Sequence, residues 1–458
     1  MNVRERPVHL GGHLGVRPVE PVRGGHPGRV SPFHVLPGAA LPGASLLAGA
    51  APLPEPDTAP TLPPAVLREL AGRSDWVSSW WTAGLLAAAA VLVAGLVVRD
   101  RRRRASRSAV GTEDSGGSAD AGRGDSARPG RRGAWRAWAG TVASGLLVVL
   151  SVTVAVNAYA GYVPNAAAFR TTMAGWGIVD PPPSHRDKPS ERAGSSAAGS
   201  VTSTPLPAPD LRMADGTTWV YTPPGFDPSA PTRYPVVYLF HGSPGQPSDW
   251  FAAADSANVM DTLLEAQLVQ PMILVAVDVN GTGPSPRDTE CLDSTTGGAQ
   301  VETYVTDVVI PWVDKSFPTV PDRDHRAIGG ASSGGFCALN LGLRHLDTFS
   351  AIMALEPYGD PGDGGRAMLA TQEEFDANSP SHYLPTMDFT APVAVFLDGG
   401  TEAPRFDREA NRRLAAALTA RGQTVGLREE PGQGHTWAMV HAGLPYGLEF
   451  VSEHLAQP

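Results

Sequence analysis

The sequence predicts an α/β fold, a mostly parallel sheet covered by helices on both faces, preceded by two membrane-spanning helices. Three observations carry this reading. Beyond residue 210, short β-rich apolar runs alternate with helix-length amphipathic runs. Two uncharged apolar stretches, Trp76–Val98 and Trp138–Tyr159, each reach the ~20 residues that a helix needs to cross a bilayer. Between them crowd Arg99, Arg101 to Arg104, Arg107, Arg123, Arg128, Arg131, Arg132 and Arg136.

The positive-inside bias assigns that arginine loop to the cytoplasm, which leaves everything after Tyr159 outside the cell. Trp76, Trp80, Trp81, Trp135, Trp138, Tyr159 and Tyr162 flank the stretches, as side chains that prefer the headgroup level do. The competing reading is a buried helical hairpin, but a soluble core helix rarely runs so long without a charge. The expectation is therefore a multi-pass protein of the cell membrane with an extracytoplasmic domain.

Four parts follow. Residues 1–70, rich in Pro, Gly, His and Arg, read as a disordered tail with no signal-peptide pattern. The apolar run Leu36–Pro52 inside it is broken by Pro37 and Pro42 and is not counted as a span. Residues 71–163 form the two-span hairpin, and residues 164–209, with Pro181 to Pro183 and a Ser/Ala/Gly run near Ser195, read as a solvated extracytoplasmic linker. Residues 210–458 form the α/β domain.

Its expected strands are Thr217–Thr222, Pro235–Phe240, Met272–Val277, Arg326–Gly329, Ser350–Leu355, Val393–Leu397 and Thr424–Glu429. The clearest helices are Asn258–Gln267, Glu302–Phe317, Gly335–His345, Phe406–Arg421 and Pro445–Leu455. At 458 residues, 42% hydrophobic and 18% charged, the chain has room for this one large domain plus extra segments. Its formal charge of -10 presents no basic face for nucleic acid. The 2 cysteines are too few for a structural zinc site or a disulfide framework, though one bridge is compatible with an oxidising compartment.

The strongest chemical signal is Gly330-Ala331-Ser332-Ser333-Gly334, a G-x-S-x-G between an expected strand and an expected helix. Such a turn needs small neighbours because the serine is held in a strained conformation with its hydroxyl exposed above the sheet. Ser332 fits the nucleophile position. Ser333 would put Ala331 in the first glycine's place, but its N–H faces a developing oxyanion, with the positive end of the following helix behind it. A phosphate-binding loop is the competing reading, and the absence of a following Gly-Lys-Ser/Thr weighs against it.

The second oxyanion donor is expected from His241-Gly242-Ser243-Pro244-Gly245, after the strand ending at Phe240. Ser243 N–H is the first choice; Pro244 cannot donate, so Gly242 and Gly245 are the alternatives. His241 reads as a residue that shapes the loop. In Gly434-His435-Thr436-Trp437, on the loop after the last expected strand, His435 reads as the base that takes the serine proton. His325, His345, His441 and His454 lack such placement, and the spacing of His435 to His441 is not that of a metal pair on one helical face. The acid is expected in Asp398-Gly399-Gly400-Thr401-Glu402-Ala403, with Glu402 favoured over Asp398, which can instead fix the turn. Asp407 is a third candidate.

With these residues assembled, roughly the last 245 residues resemble the esterase D and antigen 85 mycolyltransferase group of α/β-hydrolases, a size within the single-domain range. Four blocks carry the resemblance: the strand with His241-Gly242, Val301-Glu302-Thr303-Tyr304, the Gly330 to Gly335 elbow, and Gly434 to Trp437. Glu402 matches the glycine-x-x-acid spacing common after this strand in the group, but many members carry an aspartate where Ala403 stands. Asp288-Thr289-Glu290-Cys291 and Leu355-Glu356-Pro357-Tyr358 look like segments of membrane-linked actinobacterial esterases, with no chemical step assigned.

The resemblance implies cleavage of an acyl ester through an acyl-serine, with water or another alcohol as acceptor and no metal or organic cofactor. The substrate could come from lipid, cell wall or diffusible esters. An acyltransferase of the mycolyltransferase kind and a non-catalytic surface module are the alternatives, and the intact Ser332 and His435 argue against the latter. In this fold the loop after the strand ending at Val277 arches toward the elbow, so a Cys291–Cys337 disulfide is expected outside the cytoplasm; a buried Cys337 and a free Cys291 thiol are the plain alternative.

Overall fold

In the computed structural model, residues 57–58, 60–72, 75–110, 131–180, 198–213, 216–281 and 288–458 are described, and all of them belong to one compact unit, 53–458. The apolar run 36–52 lies outside them. The first described elements are a two-residue strand β1 (Asp57–Thr58) and a helix α1 (Pro64–Ala71), then the two long helices α2 (Trp80–Val110) and α3 (Arg131–Ala160). A short helix α4 (Ala166–Gly175) and the strands β2 (Ser200–Pro205) and β3 (Thr217–Thr222) lead into β4 (Val236–Phe240). After α5 (Asp249–Ala252), α6 (Ser256–Glu265) and β5 (Ile273–Val277) come α7 (Val301–Thr303), a π-helical stretch Tyr304–Val309 and α8 (Ile310–Ser316). The remainder runs β6 (Arg326–Ala331), α9 (Ser333–Arg344), β7 (Ala351–Leu355), three short helices α10 (Gly362–Met368), α11 (Gln372–Ala377) and α12 (Pro380–Tyr383), β8 (Ala394–Gly400), α13 (Arg405–Ala420), β9 (Thr424–Glu430) and α14 (Trp437–His454).

The sheet order is β1-β9-β8-β7-β6-β4-β5-β3-β2, parallel throughout except where β3 meets β5 and β2 meets β3. Helices cover both faces, so β4, β5 and β7 are apolar at every position rather than alternating. Val236, Tyr238 and Phe240 point into one core with α8, α9 and α13, while Val237 and Leu239 of the same strand point into the other with Trp250, α6 and α14. This is the α/β-hydrolase arrangement, and the parallel strands aim their carboxyl ends at one edge, where loops gather.

Every strand and helix expected beyond residue 210 is present, with end points displaced by a few residues. Two helices differ more. The one expected at Glu302–Phe317 is split by the π-helical stretch, whose junction falls at Pro311, a residue with no N–H to give to the turn before it. The one expected to open at Pro445 starts at Trp437, because Thr436 caps it by accepting from Met439 N–H at 3.4 Å.

The larger corrections lie ahead of the domain. The segment read as a solvated linker, 164–209, carries α4 and the edge strand β2, whose full register against β3 runs from Ser200↔Thr222 to Pro205↔Thr217. Within the stretch read as a disordered tail, α1 buries Val66 and Leu70 against the α6 side of the core, and β1 pairs with β9. Length and composition hid these elements: β1 has two residues, β2 is mostly small and polar, and α1 is a helix of only eight residues inside a Pro-rich stretch.

Helices α2 and α3 pack as an antiparallel pair, and windows of 27 and 26 residues, Trp80–Ser106 and Trp135–Ala160, are long and apolar enough to cross a membrane. Small residues let the backbones approach: a Cβ on Gly140 would strike Val97, and Ser144 and Ser151 donate to the carbonyls of Ala90 and Ala83 at 3.0 and 2.8 Å. Most other apolar side chains of the pair are exposed.

The expected disulfide is present, joining Cys291 in the loop after β5 to Cys337 on α9 with a Cα–Cα distance of 5.4 Å. It closes a loop spanning a separation of 46 residues, which in the chain-entropy model stabilises the fold by about 4 kcal/mol. Replacing both cysteines by alanine should therefore lower the Tm of the solubilised full chain by about 10 °C; thermal unfolding followed by near-UV circular dichroism measures it.

Candidate active site

The site is built around one turn. Ser332 stands between the last residue of β6 and the first of α9 with φ 58° and ψ −119°, a conformation that costs a side-chain-bearing residue about 1–3 kcal/mol. The surroundings hold it there: Ser332 N–H donates to Leu355 O, and Ser332 O accepts from Phe336 N–H, both at 2.9 Å. The flanking glycines are obligatory for contact reasons. A Cβ on Gly330 would run into the Gly334 carbonyl, and one on Gly334 would run into the carbonyls of Phe240 and His241. The elbow thus lets α9 start directly above β6 and β4.

His435 lies on the loop between β9 and α14 and places Nε2 2.8 Å from Ser332 Oγ. Its loop is held on both sides. Thr436 caps α14, and Trp437 packs edge-on against the fully buried Trp250, ring centroids 5.8 Å apart. On the other side, Glu402 N–H donates to Gln433 O at 2.8 Å and Gly432 N–H donates to Thr401 Oγ1 at 2.9 Å, an approach that requires the glycine at 400, where a Cβ would strike Gln433 O. Burial lowers the imidazole pKa below its ordinary 6.5, and the Asp407 charge partly offsets this. The ring is therefore neutral near pH 7, the state in which it can accept a proton.

The structure does not bring the two carboxylates favoured from the sequence to this histidine. Glu402 is exposed and contributes its backbone, not its side chain. Asp398 is fully buried at the end of β8, where Oδ1 accepts from Gly399 N–H at 2.7 Å and Oδ2 faces Arg428 at 3.8 Å. Burial, with Glu430 nearby, holds its carboxyl well above the usual carboxylate range. Among the described residues, the carboxylates within 4 Å of His435 Nδ1 are Glu356 and Asp407, each at 3.8 Å.

Asp407, the third candidate in the sequence, sits in the first turn of α13, just after the Pro404 N-cap. Glu356 had no assigned role. It follows β7 as Ser332 follows β6, and the parallel register Ala331↔Leu355 sets the two residues side by side. An acid immediately after the strand beside the nucleophile strand was the available signal. The two acids differ in environment: Asp407 is partly exposed, whereas Glu356 is buried with φ 54° and one carboxylate oxygen, Oε1, without a hydrogen-bond partner. Burial, then repulsion from Asp398 and Asp407, pushes the Glu356 carboxyl up to about 9.

The remaining residues fall into place around the elbow. Ser333 turns its hydroxyl away from His435, donating to Asp288 Oδ1 at 3.0 Å and Glu290 Oε2 at 3.2 Å beneath the disulfide. Its N–H belongs to the first turn of the twelve-residue α9, where backbone donors have no acceptor within the helix. A Cβ on Gly242 would lie 3.9 Å from Ser332 Oγ, so the Gly242–Ser243 step borders the nucleophile, and Ser243 N–H donates to no described group. His241 shapes that loop, as expected: Nδ1–H donates to Gly242 O at 2.9 Å while Nε2 accepts from Val279 N–H at 3.3 Å. His325 pairs with Asp322, His345 with Glu302 and His454 with Phe450 O, all away from Ser332, and His441 is half-buried on α14.

A serine on a strained strand-to-helix turn, hydrogen-bonded to a histidine on the loop after the last strand, defines the serine-hydrolase class on an α/β-hydrolase sheet. Residues 214–455 match the family described as "Putative esterase", and the chain belongs to it. This agrees with the resemblance to esterase D-like enzymes drawn from the sequence. An uncharacterized protein of Corynebacterium glutamicum is 28% identical over 172 residues, 36% of this chain and 39% of that one. Esterase Rv1288 of Mycobacterium tuberculosis is 31% identical over 118 residues, 26% of this chain and 24% of that one. The chain thus spans well under half the length of these two relatives. A solved ferulic acid esterase superposes with a TM-score of 0.49 at 25% identity, over 57% of this chain and 99% of that one.

The raised Glu356 pKa has a measurable sign. In the folded chain the group stays protonated up to about 9, while unfolded it ionises near its ordinary 4.5, so its contribution to stability is present below 4.5 and is lost as pH rises toward 9. Glu356→Gln should therefore raise Tm at pH 8 more than at pH 4.5. Likewise, Asp407→Asn should move the His435 titration, followed by NMR, further below 6.5, since the Asp407 charge is what raises it.

Proposed function

We propose that the chain is a membrane-anchored, extracytoplasmic serine esterase that cleaves carboxylic esters through an acyl-serine intermediate. The observation that carries this reading is the 2.8 Å contact between His435 Nε2 and Ser332 Oγ at a strained elbow. Ser332 Oγ attacks the ester carbonyl carbon as its proton passes to His435 Nε2. The charged imidazolium is stabilised by a carboxylate at Nδ1. Asp407 is that carboxylate, because its charge is what raises the His435 pKa and it keeps partial contact with water, while the buried Glu356, its carboxyl pushed up to about 9, keeps its proton.

The oxyanion is received by the N–H groups of Ser333 and Ser243, with the positive end of α9 behind the first of them. As the tetrahedral species collapses, the alcohol leaves with the proton from His435 Nε2. Water then attacks the acyl-Ser332 ester, giving its proton to His435, and the carboxylic acid departs as Ser332 recovers its hydroxyl hydrogen. The chain's own residues supply every proton transfer.

The anchoring reading rests on α2 and α3. Both are long and apolar enough to cross a membrane, the arginine-rich segment follows one and precedes the other, and the α/β domain is attached at the opposite ends. The positive-inside bias then puts the domain outside the cell, a compartment in which a Cys291–Cys337 bridge persists. A cysteine introduced as Ser229→Cys, an exposed position of the domain, should react with a membrane-impermeant maleimide on intact cells, whereas Ser118→Cys in the arginine-rich segment should react only after lysis.

Ser332→Ala should abolish ester cleavage and fluorophosphonate labelling, while Ser333→Ala should keep both, its hydroxyl being committed to Asp288 and Glu290. Among the acids, Asp407→Asn should lower kcat by about 10³–10⁴, and Glu356→Gln, which mimics a carboxyl that stays protonated, should cost about tenfold or less. Steady-state kinetics on a soluble ester decides; the reverse ranking would make Glu356 the triad acid.

A further inference from the structure

The segment that leaves the second long helix does not run free into solvent before the domain begins. It forms a hydrogen-bonded collar with the segment that enters the first. Asn157 Nδ2 donates to Val77 O at 2.9 Å and Val163 O at 2.8 Å, and Asn157 Oδ1 accepts from Val163 N–H at 2.9 Å. Asp75 accepts from Val77 N–H at 2.9 Å and from Ala166 N–H at 2.8 Å, and Ser78 Oγ donates to Pro164 O at 2.7 Å.

The collar in turn is packed onto the two loops that make the site. Gly161 lies so close to α14 that a Cβ there would be 2.5 Å from Ala438 N, and the Tyr159 hydroxyl lies 3.3 Å from where a Cβ on Gly434 would stand. Those contacts bracket His435. On the other side Tyr162 Oη donates to the buried Asp249 Oδ1 at 2.7 Å, Asp249 Oδ2 accepts from Gln246 N–H at 2.9 Å, and Gly175 abuts Ser248 and Gln246. That loop carries Gly242 and Ser243. The chain ahead of the first long helix is docked as well, through Val66 and Leu70 of α1. The domain is therefore clamped to the end of the helix pair by its catalytic edge, not suspended on a tether.

The same end of the pair is ringed with exposed aromatic residues, Trp76, Trp80, Trp81 and Tyr159, as headgroup-level side chains are. Trp176 extends the ring onto the domain, its indole stacked on Tyr162 with centroids 6.4 Å apart, and Ile178 and Val179 follow it, also exposed. This apolar surface is continuous with the helix pair through the collar, so the occupant it fits is the bilayer that the pair crosses.

We infer that the site takes its substrate from the membrane: an ester of a bilayer-resident amphiphile, cleaved at headgroup depth, with Trp176, Ile178 and Val179 seated in the same leaflet. The inference rests on the serine-esterase reading and adds the substrate class. His435 is one residue from the glycine that faces Tyr159. A glycerolipid's ester bonds, at the boundary of headgroups and hydrocarbon, need only a short excursion to reach Ser332, whereas a water-soluble ester gains nothing from the clamp.

The test uses the full chain in phosphatidylcholine/phosphatidylglycerol vesicles with two probes, a pyrene-labelled diacylglycerol carried in the same vesicles and p-nitrophenyl butyrate in the water. The expected result is hydrolysis of both by the native chain, with the Ile178→Asp, Val179→Asp double variant losing at least tenfold on the vesicle probe and less than twofold on the soluble one. The unchanged soluble rate shows that the variant is folded. Cleavage of p-nitrophenyl butyrate without cleavage of the vesicle probe, or an equal loss on both in the variant, would overturn the inference and leave the esterase reading standing. Failure of the native chain on both probes, with no fluorophosphonate labelling of Ser332, would overturn the esterase reading itself.

Discussion

The backbone of Ser332, held at φ 58° between β6 and α9, is the constraint on which the rest of the site depends. Releasing it would let the hydroxyl fall away from His435 and would misalign the first turn of α9. The strain persists because it is over-determined. Two backbone hydrogen bonds grip the residue, and three carbonyls crowd the positions where side chains on Gly330 and Gly334 would have to go. The disulfide adds a further restraint from outside, fastening α9 to the loop whose Asp288 and Glu290 engage Ser333.

Around the histidine, burial decides which group carries charge. Glu356, Asp398 and Asp407 all lie on that side of the sheet edge, and a low-dielectric pocket does not support three ionised carboxylates at once. Glu356 and Asp398 are buried and have raised pKa values, while Asp407 keeps partial contact with water. The environments of the acids differ by position relative to solvent and not by their spacing in the chain.

The helix pair and the catalytic edge are coupled through a small number of directional contacts. Asn157 and Asp75 pair backbone groups of Val77, Val163 and Ala166 at the ends of the two helices. Tyr162 then carries the constraint on to Asp249 and the loop of Gly242 and Ser243. The chemistry-bearing loops are thereby referenced to the rigid helix pair.

By itself the sequence determined the sheet, the two apolar helices, the elbow serine, the histidine and the cysteine pair, since each rests on a local pattern: continuous apolar strands, uncharged 20-residue stretches, glycines about a serine. Tertiary structure alone decided which carboxylates stand beside the histidine and how the helix pair is attached. Glu356 lies 79 residues before His435 in the chain and Asp407 lies 28 before it, and both reach its Nδ1 through strand register and the course of a loop. Glu402 matched a spacing, but the chain uses its N–H to brace the histidine loop and leaves its carboxylate in solvent. The exit from α3 is likewise a collar, because Asn157, Gly161 and Tyr162 show their contacts only against partners up to 277 residues away in the chain. Contacts of that separation leave no periodicity in a sequence; only the folded chain brings their partners together.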